Sequence, residues 1–92
     1  MKYNLIITPC AQEDMRKLKL SGDKQAIKKL ERLLEELKEH PRTGTGKPKP
    51  LTGFATERWS RRITDKHRLV YDIYENNVLI NIVQAWGHYH DK

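Results

Sequence analysis

The chain has 92 residues, 37% of them hydrophobic and 33% charged, with a formal net charge of +6. This length supports one core that buries roughly 60–70% of the unfolded surface and leaves no room for a second, so residues 1–92 are read as a single domain. No apolar run nears the ~18 residues that span a bilayer, the first residues lack a signal-peptide core, and a lone cysteine, Cys10, excludes an internal disulfide; a cytoplasmic protein with no membrane partner is expected.

Residues 2–8, KYNLIIT, are rich in β-branched and aromatic side chains and predict a first strand. Thr8 suits the N-cap of a helix and Pro9 its first position. The helix predicted over Pro9–Leu20 places Ala11, Met15 and Leu18 on one face. Ser21-Gly22 ends it, and Ser21 is the expected cap of a second helix at about 22–40. There Ala26, Ile27, Leu30, Leu33, Leu34 and Leu37 follow the i, i+3, i+4, i+7 spacing of a helix packed on a core. Its opposite face, with Arg32, Glu35, Glu36 and Glu39, reads as solvated, and His40-Pro41 stops it.

Residues 41–53, PRTGTGKPKPLTG, hold three prolines, three glycines and three cations, and predict an irregular loop. A loop this long in so small a chain is often functional. Three strands are predicted after it, at about 57–64, 67–74 and 78–85, with turns at Asp65-Lys66 and Glu75-Asn76-Asn77. In the middle strand Leu69, Tyr71 and Ile73 share one face, and Arg68, Val70, Asp72 and Tyr74 share the other. The last strand is apolar enough to lie inside the sheet. The order β-α-α-β-β-β implies an α+β fold, an antiparallel sheet with a pair of helices packed on one face.

The charge is concentrated. Residues 42–68 hold eight cations against Glu57 and Asp65, and the rest of the chain balances. Arginine-rich positive charge on a sheet face left open by the helices suits a phosphate-rich partner, since the planar guanidinium matches phosphate geometry. His88 and Tyr89 follow the last strand: histidine suits acid–base work near neutral pH, and tyrosine can stack on a base. These groups suffice to cleave RNA, which carries its own nucleophile in the 2′-hydroxyl, so no metal or other cofactor is needed. His88, His90 and Asp91, with or without His67, lack the paired Cys/His spacing of a structural zinc site. Cys10 reads as a packing residue.

Three motifs, GKPKPL at 46–51, WSRRITDKHRLVY at 59–71 and GHYHDK at 87–92, resemble the YoeB/Txe toxins of the RelE/ParE superfamily of bacterial toxin–antitoxin systems. The resemblance implies a RelE-like fold and a ribosome-dependent endoribonuclease (an mRNA interferase) that cuts message at the ribosomal A site. It implies as partners a cognate antitoxin laid over the active face, mRNA and the 16S rRNA of the ribosome, DNA only indirectly through the antitoxin, and a second copy of the chain in a homodimer. By motif, Arg68 matches the catalytic arginine, His88 the histidine that acts as general acid, Tyr89 the tyrosine that follows it, and Arg61 and Arg62, with Lys47, the RNA-binding basic residues. One position departs. The family's loop is usually GKPEPL, with a glutamate as general base, and this chain has Lys49 there. A free lysine titrates near about 10.4 and must release its proton near neutrality to act as a base. Three readings follow: Lys49 is the base, Glu57 is the base, or Lys49 only binds phosphate in a weak nuclease. The alternative function is a catalytically weak toxin homologue that mainly binds the antitoxin and regulates its own operon. The gyrase-poisoning branch of the superfamily lacks the histidine–tyrosine ending.

Overall fold

The structure, a computed structural model, describes residues 2–87. Strand β1, Asn4–Ile7, ends where the Thr8 side chain accepts a hydrogen bond from the Ala11 N–H at 3.2 Å. With Pro9 at the first helical position, that cap opens α1, Pro9–Leu20. Helix α2, Lys24–Leu37, is capped by Asp23 rather than Ser21: the Asp23 carboxylate accepts from the Ala26 N–H at 3.1 Å. Ser21 instead closes α1, donating its hydroxyl to Leu18 O at 2.6 Å.

The remaining elements are β2, Lys49–Leu51; β3, Glu57–Arg62; β4, Arg68–Tyr74; a 3-10 turn, Glu75–Asn77; and β5, Leu79–Gln84. They form one sheet in the order β1-β5-β4-β3-β2. The fold is the expected α+β arrangement, a sheet with a helical pair on one face, with two differences. Residues 49–51, assigned to loop by their composition, form a short strand against β3, pairing Lys49 with Ser60 and Leu51 with Arg58. Pro50 is tolerated because β2 is an edge strand. The sheet is also mixed rather than wholly antiparallel. After the helices the chain enters at the β2 edge and zigzags back, so β5 arrives beside β1 running the same way. Flanked by β1 and β4, β5 is interior, as its apolar sequence implied.

The core lies between the helices and one sheet face. Ala11 and Leu18 from α1, and Ala26, Leu30, Leu33 and Leu37 from α2, pack on Leu69, Tyr71, Ile73, Ile80 and Ile82. Burying large apolar side chains of this kind contributes about 1.5–3 kcal/mol each. Strand parity then decides what the other face carries. Leu69, Tyr71 and Ile73 point inward, so Arg68, Val70 and Asp72 point away from the helices. The β3 residues directly opposite that second set, Arg62, Ser60 and Arg58, share its face.

Candidate active site

A cleft of about 220 Å³ opens on the sheet face away from the helices, lined by Gly46, Lys47, Lys49, Ser60, Arg62 and Arg68. The register explains the convergence. Lys49 lies directly across from Ser60, and Arg62 directly across from Arg68, so residues of three neighbouring strands meet on one surface. The loop adds Lys47, whose backbone is left-handed at φ 53°. Holding a non-glycine residue there costs about 1–2 kcal/mol. The loop is fastened beside β3 by the Arg62 N–H, which donates to Gly46 O at 2.7 Å.

Four cations therefore line one cleft, and no carboxylate does so among the described residues. Arg68 is half-buried, and its Nη1 donates to Thr64 O at 2.8 Å. Its Nε and Nη2 have no acceptor among the described residues. Among the described residues, the one carboxylate the Arg62 side chain meets is that of exposed Asp65, at 3.7 Å. Like charges held this close, with donors to spare, make an anion site. His88 and Tyr89, expected to complete the site, lie outside the described residues, as do His90 and Asp91.

Arg61 does not belong to this surface, which corrects its reading as an RNA-binding residue. Its residue exposure is 0%. Its Nε donates to the Tyr71 hydroxyl at 3.1 Å, Nη1 to Glu36 Oε1 at 2.9 Å and Thr45 O at 3.2 Å, and Nη2 to Thr43 O at 2.7 Å and to His40 O. Five N–H groups meet five acceptors, so none remains for RNA. The cause is parity: Arg61 lies opposite Leu69, on the core face, and Arg62 one residue on lies on the other.

This buried guanidinium organises the loop. It holds three of the loop's carbonyls from within, and Glu36 completes the clasp by accepting from the Thr45 N–H at 2.8 Å and the Thr45 hydroxyl at 2.6 Å. Burial pushes the Glu36 carboxyl up, but the Thr45 hydroxyl and N–H and the Arg61 charge outweigh it and bring it below its ordinary value. Burial raises the Tyr71 hydroxyl against the opposing pull of Arg61, and as a protonated group it donates to Pro41 O at 2.7 Å. Glu36 was read as part of a solvated face. The available signal was its place one residue before Leu37 and three after Leu33, at the border of the apolar stripe.

Glu57 is likewise excluded as the base of this cleft. It lies on the core-side face of β3, about 10 Å along the strand from Ser60. Arg42 grips it with two hydrogen bonds, at 2.7 and 2.9 Å, and the Trp59 indole N–H donates to it at 3.0 Å. The Arg42 bond is the main reason its carboxyl is held below the usual range, with burial opposing.

Comparisons with known proteins identify the family and agree with the fold. A family model described as "YoeB-like toxin of bacterial type II toxin-antitoxin system" matches residues 8–89. Toxin YoeB of Streptomyces coelicolor is 43% identical over 68 residues, covering 74% of this chain and 79% of that protein. A YoeB/ParE toxin from Agrobacterium tumefaciens superimposes with a TM-score of 0.83 at 32% identity, over 94% of this chain and 99% of the other. The YoeB dimer from Staphylococcus aureus gives 0.79 at 34% identity, over 97% and 100%. A YoeB-YefM complex from the same organism gives 0.76 at 32% identity, with the same coverage. The chain belongs to the YoeB-like toxins of bacterial type II toxin–antitoxin systems.

Proposed function

We propose that this toxin is a ribosome-dependent mRNA endonuclease that cleaves A-site codons by metal-independent attack of the RNA 2′-hydroxyl on the adjacent phosphodiester. The observation that carries the reading is the convergence of Lys47, Lys49, Arg62 and Arg68 on one cleft. Lys47 and Arg62 hold the RNA backbone. A base takes the 2′-hydroxyl proton, the oxygen attacks phosphorus, and Arg68 neutralises the charge that builds on the non-bridging oxygens. His88 gives a proton to the departing 5′-oxygen while Tyr89 stacks on a base. The products are a 2′,3′-cyclic phosphate and a 5′-hydroxyl. Of the four cleft cations, the two arginines cannot release a proton. That leaves a lysine as base, and Lys49 holds the position where the family usually has glutamate.

The partners follow from the same reading: mRNA in the cleft, 16S rRNA around it, and a cognate antitoxin that covers the cationic face and carries any contact with DNA. The Staphylococcus aureus neighbours, a dimer and a YoeB-YefM complex, support an antitoxin partner and a homodimer. The decisive experiment incubates the purified toxin with programmed ribosomes and maps the 5′ ends of the message. Cleavage within the A-site codon that leaves a 2′,3′-cyclic phosphate and a 5′-hydroxyl, abolished by Arg68→Ala in a folded variant, is the expected result. Intact message in the presence of folded wild-type toxin defeats the nuclease and points to antitoxin binding and operon regulation as the main role.

A further inference from the structure

The mechanism leaves unexplained how the end of β5 is fixed where the chain turns toward His88. Ala85, with no exposed surface, donates its N–H to Asp14 Oδ2 at 3.1 Å. The Gln84 amide donates to Trp86 O at 3.0 Å. The Trp86 ring lies against the His67 ring, centroids 4.1 Å apart and planes tilted by 31°. Gly87 is then held at both backbone groups: its N–H donates to His67 Nδ1 at 2.8 Å, and its carbonyl accepts from the Arg68 N–H at 2.9 Å. Its φ of +78° sets the direction in which the chain leaves the sheet. His67 is itself anchored, donating its N–H to Thr64 Oγ1 at 3.1 Å and accepting at its carbonyl from Ile63 and Thr64.

We propose that His67 is a positioning residue for the cleavage reaction: its Nδ1 and ring face fix Gly87 and Trp86, the residues that lead into His88, beside the neighbouring Arg68. The inference rests on the nuclease reading for its effect on rate, but the docking itself does not. Nδ1 accepts the Gly87 N–H only while it carries no proton, so the neutral ring has its proton on Nε2. Among the described residues, the charged groups around it include Asp23, Asp65 and Lys66, which share a cleft with His67 and Trp86, and Arg68 next in sequence. Protonation at Nδ1 turns an acceptor into a donor facing another donor and releases Gly87.

Two variants separate the ring from the acceptor. His67→Phe keeps a ring for Trp86 and loses the acceptor, whereas His67→Asn loses the ring but offers an amide oxygen close to where Nδ1 sits. With the full chain, the Gly87 amide is followed by NMR, as hydrogen exchange and as chemical shift from pH 8 to 5, alongside single-turnover cleavage on saturating programmed ribosomes. In the wild type the Gly87 amide should shift in step with the His67 ring, and its protection from exchange, taken relative to the intrinsic rate at each pH, should fall as that ring protonates. His67→Phe should expose the amide and slow cleavage by roughly ten- to a hundredfold, the scale of a small misplacement of catalytic groups, with the half-saturating ribosome concentration unchanged. His67→Asn should recover part of both. Equal losses in the two variants, a rise in half-saturation matching the loss in rate, or a Gly87 amide indifferent to His67 protonation would each overturn the proposal. A wild type that cleaves nothing defeats the nuclease reading instead, and the Gly87 amide still decides whether His67 holds the segment.

Discussion

Arg61 and Arg62 are chemically identical neighbours with opposite fates. Arg61→Ala takes one partner each from Glu36 and the Tyr71 hydroxyl and the side-chain donor from three loop carbonyls, and should lower stability by about 3–5 kcal/mol, the usual loss when one member of a buried charge pair is removed. Arg62→Ala removes an exposed side chain and should stay within about 0.5 kcal/mol of wild type while weakening ribosome binding. Urea denaturation of both variants checks this, and equal stabilities would contradict the burial of Arg61. The distinction was legible in the sequence, because two consecutive strand residues cannot share a face. The motif match outweighed parity in the reading, and both were placed on the RNA surface. Lys49 is the second residue-scale test. If it is the base, Lys49→Ala removes most of the cleavage rate and Lys49→Arg fails to restore it, because arginine keeps its proton. Lys49→Glu, which returns the carboxylate usual in the family, should then be active and reach its full rate at lower pH than the wild type. Full activity in Lys49→Arg shows a phosphate ligand and removes the base assignment.

The loop over residues 38–48 has little regular structure, yet it is held as firmly as an element. Gly46 shows how. Its φ is +87°, and a Cβ there would stand 3.0 Å from Arg62 O and 3.2 Å from both Arg61 Cβ and Leu33 Cδ2. Gly22 has a similar φ of +80°, with nothing within 4 Å of the same atom. Gly22→Ala should therefore cost only the backbone preference, about 1 kcal/mol, whereas Gly46→Ala should cost more and also slow cleavage, by lifting Lys47 and Lys49 from the cleft. Thermal melts with parallel cleavage assays test the pair, and a Gly46→Ala variant no worse than Gly22→Ala in both would show that the loop tolerates displacement. The helices and β4 were readable because each repeats a hydrophobic period, β5 because it is an apolar run, and β3 because it precedes β4 across a turn. Strand β2 was not, because three residues that include Pro50 carry no period, and what makes them a strand is the β3 edge beside them. The irregular loop was foreseen from its prolines and glycines. Its anchors, Glu36 and Arg61, lie far away in sequence and only the fold brings them together.

Across the whole molecule, seven of the eight cations of residues 42–68 divide into two populations, with Lys66 at the β3–β4 turn in neither. Arg42, Arg58 and Arg61 are committed to carboxylates of the fold, at Glu57 and Glu75, Asp72, and Glu36 respectively. Lys47, Lys49, Arg62 and Arg68 line the cleft. The first population makes stability depend on pH in a stated direction. Arg42 hydrogen-bonds to Glu57 and Glu75 and so holds both carboxyls below their ordinary range; the Tyr3 hydroxyl, donating to Glu75 at 2.7 Å, is the larger cause for Glu75. Glu36 is lowered by its own separate partners. A carboxyl whose pKa is lower folded than unfolded stabilises the fold fully above the unfolded value, about 4.3 for glutamate, and loses that contribution as pH falls through the folded value. The melting temperature should therefore be nearly level between pH 7 and 5 and fall below about pH 4. Arg42→Met isolates one cluster. Without Arg42 the Glu57 and Glu75 carboxyls return toward their free values, so the variant should melt lower than wild type at pH 6. The difference should shrink as pH falls through the lowered folded pKa values of these two carboxyls, while the part of the acid loss due to Glu36 persists in both. A gap that stays constant over this range would mean that Arg42 acts through packing of its aliphatic stem, and that the ion pairs with Glu57 and Glu75 contribute nothing to the fold.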